Sequence, residues 1–181
     1  MDKLKNLILC AVCSAILCIF SVMTIPIGAI PITLGTFGIM LVAVILGAKR
    51  SVISVAIFIL LGAVGLPVFS GFRGGFMVIA GPTGGYIIGY ILMALIIGLS
   101  NLINSKNTVL MIVYTVALCI AGAIADYILG TAQFMIVQKT GLWTALTACV
   151  FPFAVIDFIK CIAASIIGIY VRRGLQKAHL L

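Results

Sequence analysis

The stretch ACVFPFAVIDFIKCIAASIIGIYV, residues 148–171, decides the fold class. As a helix it is long enough to cross a hydrocarbon core of about 30 Å. Yet it carries two charges of opposite sign, Asp157 and Lys160. A charged side chain at the centre of a bilayer costs about 2.5–3.5 kcal/mol on insertion scales. At i, i+3 the two side chains share one helix face. One reading is a self-neutralising pair that stabilises a helix–helix contact; the other is a polar anchor for a ligand. An apolar pair of similar volume would serve packing at lower cost, and intramembrane charges mark functional sites, so the anchor is favoured.

Apolar runs of this kind recur along the chain. Of its 181 residues 65% are hydrophobic and only 8% charged, with a mean hydropathy of +1.43. Soluble domains carry roughly 25% charged residues. The pattern predicts an all-α integral membrane protein, a single domain over residues 1–181. Its six transmembrane helices are expected near 4–23, 34–48, 51–66, 83–104, 108–130 and 147–171. The breaks are IPIGAIPIT, GAKRS, GLPVFSGFRGGFMVIAGPTGG, NSKN and GTAQFMIVQKTG, rich in the proline, glycine and charge that punctuate helices. The second and third spans reach only some 22–24 Å, so they are expected to tilt or to be irregular. The start, MDKLKNLILCAVCSAILCIF, has the basic end and apolar run of a signal peptide but no A-x-A-like site, and is read as a retained first helix.

Charge sidedness supports an even number of spans. With both termini cytoplasmic, Lys3, Lys5, Lys49, Arg50, Lys106, Arg172, Arg173 and Lys177 lie inside, and only Arg73 and Lys139 outside. The formal charge of +8 therefore does not indicate nucleic acid, because the basic residues occupy short gaps between apolar runs. In this topology Asp157 lies about 15 Å and Lys160 about 20 Å below the outer surface, and Asp126 some 6 Å below it. Asp126 alone reads as a group bonded to a loop or to interfacial water, and Arg73 as a solvated loop arginine. The inner half carries no buried charge, a pattern that suits a site opening outward. The long gap 67–81 is a candidate lid.

Gly81-Pro82-Thr83-Gly84-Gly85-Tyr86 opens the fourth span. Proline in a first turn and adjacent glycines would let a ligand approach unpaired helix N–H groups. Gly85 and Gly89 also form a G-x-x-x-G suited to close helix packing, and both uses remain open. Ala11 and Ala15, flanked by Ser14 and Cys18, make a strip of small residues on the first helix. Such a strip packs either inside the bundle or against another membrane protein.

Other chemistry is excluded. The six cysteines sit in or beside apolar segments and read as small buried hydrophobes, despite the C-x-x-C at Cys10 and Cys13. The only histidine, His179, is in the polar tail. No hydrolase or metal motif is present, so neither an enzyme nor a cofactor or metal is expected, and there is no phosphate-binding loop for ATP.

Four stretches together resemble one family. They are PITLGTF at 31–37, GLPVFSGFRGGFMVIAGPTGGYIIGY at 65–90, DYILG at 126–130, and Asp157 and Lys160 after Pro152. This set resembles the BioY family, the substrate-capturing S components of energy-coupling factor (ECF) transporters, over nearly the whole chain. The resemblance implies six helices, an outward-facing pocket and biotin as ligand. It implies substrate contacts from Asp157, Lys160, Tyr86, Gly84, Gly85, Arg73, Tyr127 and Thr36. It further implies a membrane coupling subunit joined to two ATPase subunits, with Ala11 and Ala15 as the docking pair. Gly35 stands where many relatives are expected to carry glutamine. The rival expectation is a self-sufficient secondary vitamin transporter coupled to protons or another ion through Asp126 or Asp157, which would want an internal repeat that the chain lacks.

Overall fold

The computed structural model describes residues 2–25, 31–103, 107–178 and 180–181. Most of the IPIGAIPIT break, Lys106 and His179 lie outside the described residues. Helix α1 (Asp2–Val22) leads into a two-residue hairpin pairing, β1 (Thr24–Ile25) with β2 (Ile32–Thr33), antiparallel with Thr24 opposite Thr33. Then follow α2 (Gly35–Leu46), α3 (Ala48–Ala63), the short α4 (Phe76–Ala80) and α5 (Gly84–Gly98) with a 3₁₀ turn at Leu99–Leu102. The chain closes with α6 (Thr108–Gln138), α7 (Leu142–Cys149) and α8 (Phe151–Lys177). Among the described residues four helices are long and apolar enough to cross a membrane, at Lys3–Val22, Gly84–Leu102, Thr108–Gln138 and Phe151–Lys177. The 12-residue α2 and 16-residue α3 are regular helices, shorter than a full span, and are joined by Gly47 alone at φ +80°.

Two boundaries differ from the sequence expectation. The fifth helix does not end at Gly130. It continues to Gln138 and stops at Lys139, which takes the left-handed conformation at φ 52°. Gly130 is kept helical by packing: a Cβ there would strike the Tyr86 ring. The helix expected from 147 instead forms two pieces, α7 and α8, that meet at Val150, and Pro152 sits in the first turn of α8 where its missing N–H costs nothing.

Helix α5 is the centre of the bundle, packed on α6, α3 and α2, while α2 packs on α8 and α1 on α3 and α2. The α5–α6 approach depends on glycine. A Cβ at Gly85 would meet the Leu129 carbonyl and lie 2.8 Å from Gln133 Cβ. The buried Ser14 hydroxyl is satisfied by backbone: its Oγ donates to Cys10 O (2.7 Å) and lies 2.9 Å from Ser54 O. The start of α1 and the end of α8 lie together, since Lys3 and Gln176 line one cavity.

Candidate functional site

At the other end of the bundle a cavity is walled by residues of α1, β2, α2, α4, α5, α6, α7 and α8 and of the loop before α4. Its polar floor is the Asp157–Lys160 pair, both buried, at 2.8 Å. Lys160 Nζ also donates to Thr33 O (2.9 Å) and Thr36 Oγ1 (3.0 Å). An ammonium has three protons, so this lysine is fully engaged by the protein itself. Tyr127 Oη donates to Asp157 Oδ2 at 2.5 Å while Lys160 takes Oδ1. Each carboxylate oxygen thus has one protein donor and a lone pair left for another. The pair joins α8 to α6 through Tyr127 and to the β2–α2 corner through Thr33 and Thr36.

Above this floor the walls are aromatic, from Phe69, Tyr86, Tyr90 and Phe153, with Thr83 and Ser70 toward the mouth. Tyr86 Oη donates to Cys149 O at 3.4 Å, which ties α5 to α7. Exposed Arg73 lines the mouth, its Nε donating to Ser70 O at 3.1 Å. The water-accessible space is about 60 Å³, room for only a few water molecules.

Six of the expected contacts converge here: Asp157, Lys160, Tyr127, Thr36, Tyr86 and Arg73. Gly84 and Gly85 are absent from the lining. Added Cβ atoms there would meet Ile79 O and Leu129 O respectively, so both glycines serve the close packing of α5 against its neighbours. Gly35 is also outside the lining, its N–H donating to Thr33 Oγ1 at 2.9 Å.

Asp126 differs from its sequence reading. It is 2% exposed and lines the cavity, with Oδ1 lacking any hydrogen-bond partner. Because α6 continues to Gln138, this residue lies about 18 Å below the helix end rather than near the surface. Asp157, in turn, is only about 9 Å from the start of α8, because α8 begins at Phe151. Tyr90, Phe153, Thr33 and Cys149 are lining residues that sequence reasoning missed. Only Tyr90 had a usable signal, one helical turn beyond Tyr86 on the same face.

The 65–81 segment covers the site. Phe69 is 2% exposed and fills the space beside Gly62, with its backbone bridged to Arg73. Gly65, Gly71 and Gly75 all have positive φ (+108°, +72° and +97°), which a residue with a side chain rarely adopts. Gln133, in the part of α6 expected to be loop, donates from Nε2 to Ile79 O and Gly81 O, both at 2.8 Å. It holds the end of this segment down.

Comparison with known proteins follows the same lines. The BioY family model matches residues 1–177. The chain is 35% identical over 170 residues to the biotin transporter BioY of Thermotoga maritima, covering 94% of this chain and 97% of that one. It is 32% identical over 179 residues to the biotin transporter BioY2 of Lactococcus lactis, covering 98% and 95%. Among solved structures it is similar to the S-component for biotin from an ECF-type ABC transporter, with a TM-score of 0.84 and 31% identity over 95% of this chain and 93% of that one.

Proposed function

This chain belongs to the BioY family, and from that premise we propose that it captures biotin outside the cell membrane and carries it across as the S component of an ECF-type transporter. In this reading α1, α2, α3, α5, α6 and α8 cross the bilayer, both ends of the chain are cytoplasmic, and the Asp157 cavity opens outward. The distribution of lysine and arginine supports that sidedness. The family is one of transporters, and the chain is not an enzyme.

The observation that carries the proposal is the buried Asp157, whose two oxygens are each oriented by a different helix while facing an aromatic-walled cavity. Biotin presents two ureido N–H donors and a carbonyl on an apolar sulfur-containing bicycle, with a carboxylate tail. Asp157 is oriented to accept a ureido N–H with a remaining lone pair. Lys160 and Tyr127 hold that carboxylate in place, and Thr36 and Thr33 hold the lysine. Tyr86, Tyr90 and Phe153 offer apolar faces to the bicycle. Arg73 at the mouth is placed to meet the carboxylate of the tail. A ligand lacking the ureido donors would leave a buried acceptor unpaired, at about 1–3 kcal/mol, and that difference makes such a site selective.

Energy must come from elsewhere, because the chain has no nucleotide-binding sequence. Ala11 and Ala15 are exposed while Ser14 between them is buried, which supports the strip as an outward docking face for a membrane coupling subunit carrying two ATPases. A second reading, ion- or proton-coupled transport by the chain alone, draws its support from the unpartnered Asp126. Uptake that stops with a protonophore or sodium ionophore while cellular ATP is maintained would favour that second reading. The direct test of the first is binding of labelled biotin to the purified chain. Saturable binding to one site is expected; no binding to folded protein would overturn the proposal.

A further inference from the structure

Two carboxyls line the Asp157 cavity, and they are treated differently. Asp157 is held by Lys160 and Tyr127. Asp126, the residue before Tyr127 on α6, is buried, and its Oδ1 has no hydrogen-bond partner among the described residues. Its electrostatic neighbour is Asp157, a group of the same sign. The strong donors of the cavity floor are committed elsewhere. Lys160 spends its three protons on Asp157, Thr33 and Thr36, Tyr127 donates to Asp157, and Tyr86 donates to Cys149 O. Packing does not account for Asp126 either. It fits the α5–α6 seam because position 89 is glycine, and an apolar side chain of similar size would fill that seam without burying an unpaired oxygen.

Tyr90 follows Gly89 on α5 and lines the same cavity. It feels both carboxyls electrostatically, and its hydroxyl bonds to none of the described residues. Three unused polar groups therefore border one space: the Asp126 carboxyl, the Tyr90 hydroxyl and the remaining lone pairs of Asp157. Two acceptors and one hydroxyl match a planar group that carries an N–H on each side of a carbonyl. We infer that Asp126 accepts one N–H of a cyclic urea while Asp157 accepts the other, and that Tyr90 donates to the carbonyl between them. This rests on the reading of the chain as a biotin-binding protein, and deepens it by giving every polar atom of the ureido group a protein partner. It also makes Asp126 a residue of ligand specificity, since a ligand without the second N–H leaves that buried acceptor unpaired.

The test is titration calorimetry on the purified full chain with biotin and its two γ-lactam analogues, each with one ureido N–H replaced by CH₂. Asp126→Ala should weaken biotin binding by about tenfold. One lactam should bind the unaltered chain about tenfold more weakly than biotin and lose nothing further in Asp126→Ala, because the same hydrogen bond is already missing. The other lactam lacks the N–H that faces Asp157 and should still lose about tenfold. Asp126→Asn retains a carbonyl acceptor and should keep most of the affinity, while Tyr90→Phe should weaken all three ligands alike. Asp126→Cys, similar in volume and without an oxygen, runs the same cycle by a second route, and the melting temperature of each ligand-free variant reports its folding. Unchanged biotin affinity in the alanine and cysteine variants would overturn the contact and leave biotin capture standing. Equal losses for biotin and both lactams would make Asp126 a structural residue and overturn the contact too. No binding of biotin to the unaltered chain would instead overturn the functional reading beneath it.

Discussion

The carboxyl of Asp126 fills the space that a side chain at Gly89 would occupy. A Cβ built on Gly89 meets Asp126 Oδ1 and lies 3.2 Å from the Asp126 Cα. An acidic group is therefore pressed into the α5–α6 seam with one oxygen unbonded, at the edge of the ligand cavity.

Gly89→Ala should displace that carboxyl or part the two helices, destabilising the protein by about 1–3 kcal/mol. Asp126→Ala removes the obstacle together with an unsatisfied buried group and should restore much of the loss in the double variant. Thermal unfolding in detergent of the four proteins of the cycle measures the coupling. Strictly additive effects would show that the two residues do not compete for space.

Asp157→Asn should weaken biotin binding by at least tenfold, about 1.4 kcal/mol. The amide is nearly isosteric but turns one acceptor into a donor facing Lys160 or Tyr127. Titration calorimetry on the folded variant reads the change, and an unaltered affinity would make Asp157 purely structural.

Tyr127→Phe tests the same carboxylate from the other side. It removes one donor to Asp157 without changing packing volume greatly. A loss of affinity of about 0.5–1.5 kcal/mol is expected, with little change in melting temperature. Equal losses in affinity and stability would place Tyr127 in the fold alone.

The 65–81 segment covers the cavity, and it is expected to shift when a bicyclic ligand enters. Hydrogen exchange should show this segment protected by biotin. Gln133→Leu, which removes the bonds to Ile79 and Gly81, should speed exchange there in the free protein. Identical exchange with and without biotin would exclude the segment as a lid.

Ala11→Trp and Ala15→Trp place a large ring on an exposed face of α1. Biotin binding should remain near normal, while co-purification with the coupling subunit and ATP-driven uptake are lost. If either variant loses binding and assembly together, the alanines serve the fold instead.

Much of this arrangement is legible in the chain alone, because a bilayer imposes strict local rules. Long apolar runs must become helices, since no water is present to satisfy a free backbone. Basic residues set the sidedness, and a charge pair such as Asp157 and Lys160 stands out because its cost is high. What local rules could not reach were contacts between distant segments. Gly130 reads as a break, yet α6 runs through it because the Tyr86 ring packs there and leaves no room for a side chain. That continuation carries Gln133 to the end of the 65–81 segment and sinks Asp126 into the cavity wall. The sequence by itself determined a helical membrane protein with one intramembrane ion pair. Only the tertiary structure decided that Lys160 is saturated by Thr33, Thr36 and Asp157, that Gly84 and Gly85 lie in close contact with Ile79 and Leu129, and that Ala11 and Ala15 face outward. Helix propensity and burial depth are local quantities, whereas a hydrogen-bond partner 127 residues away is chosen by packing.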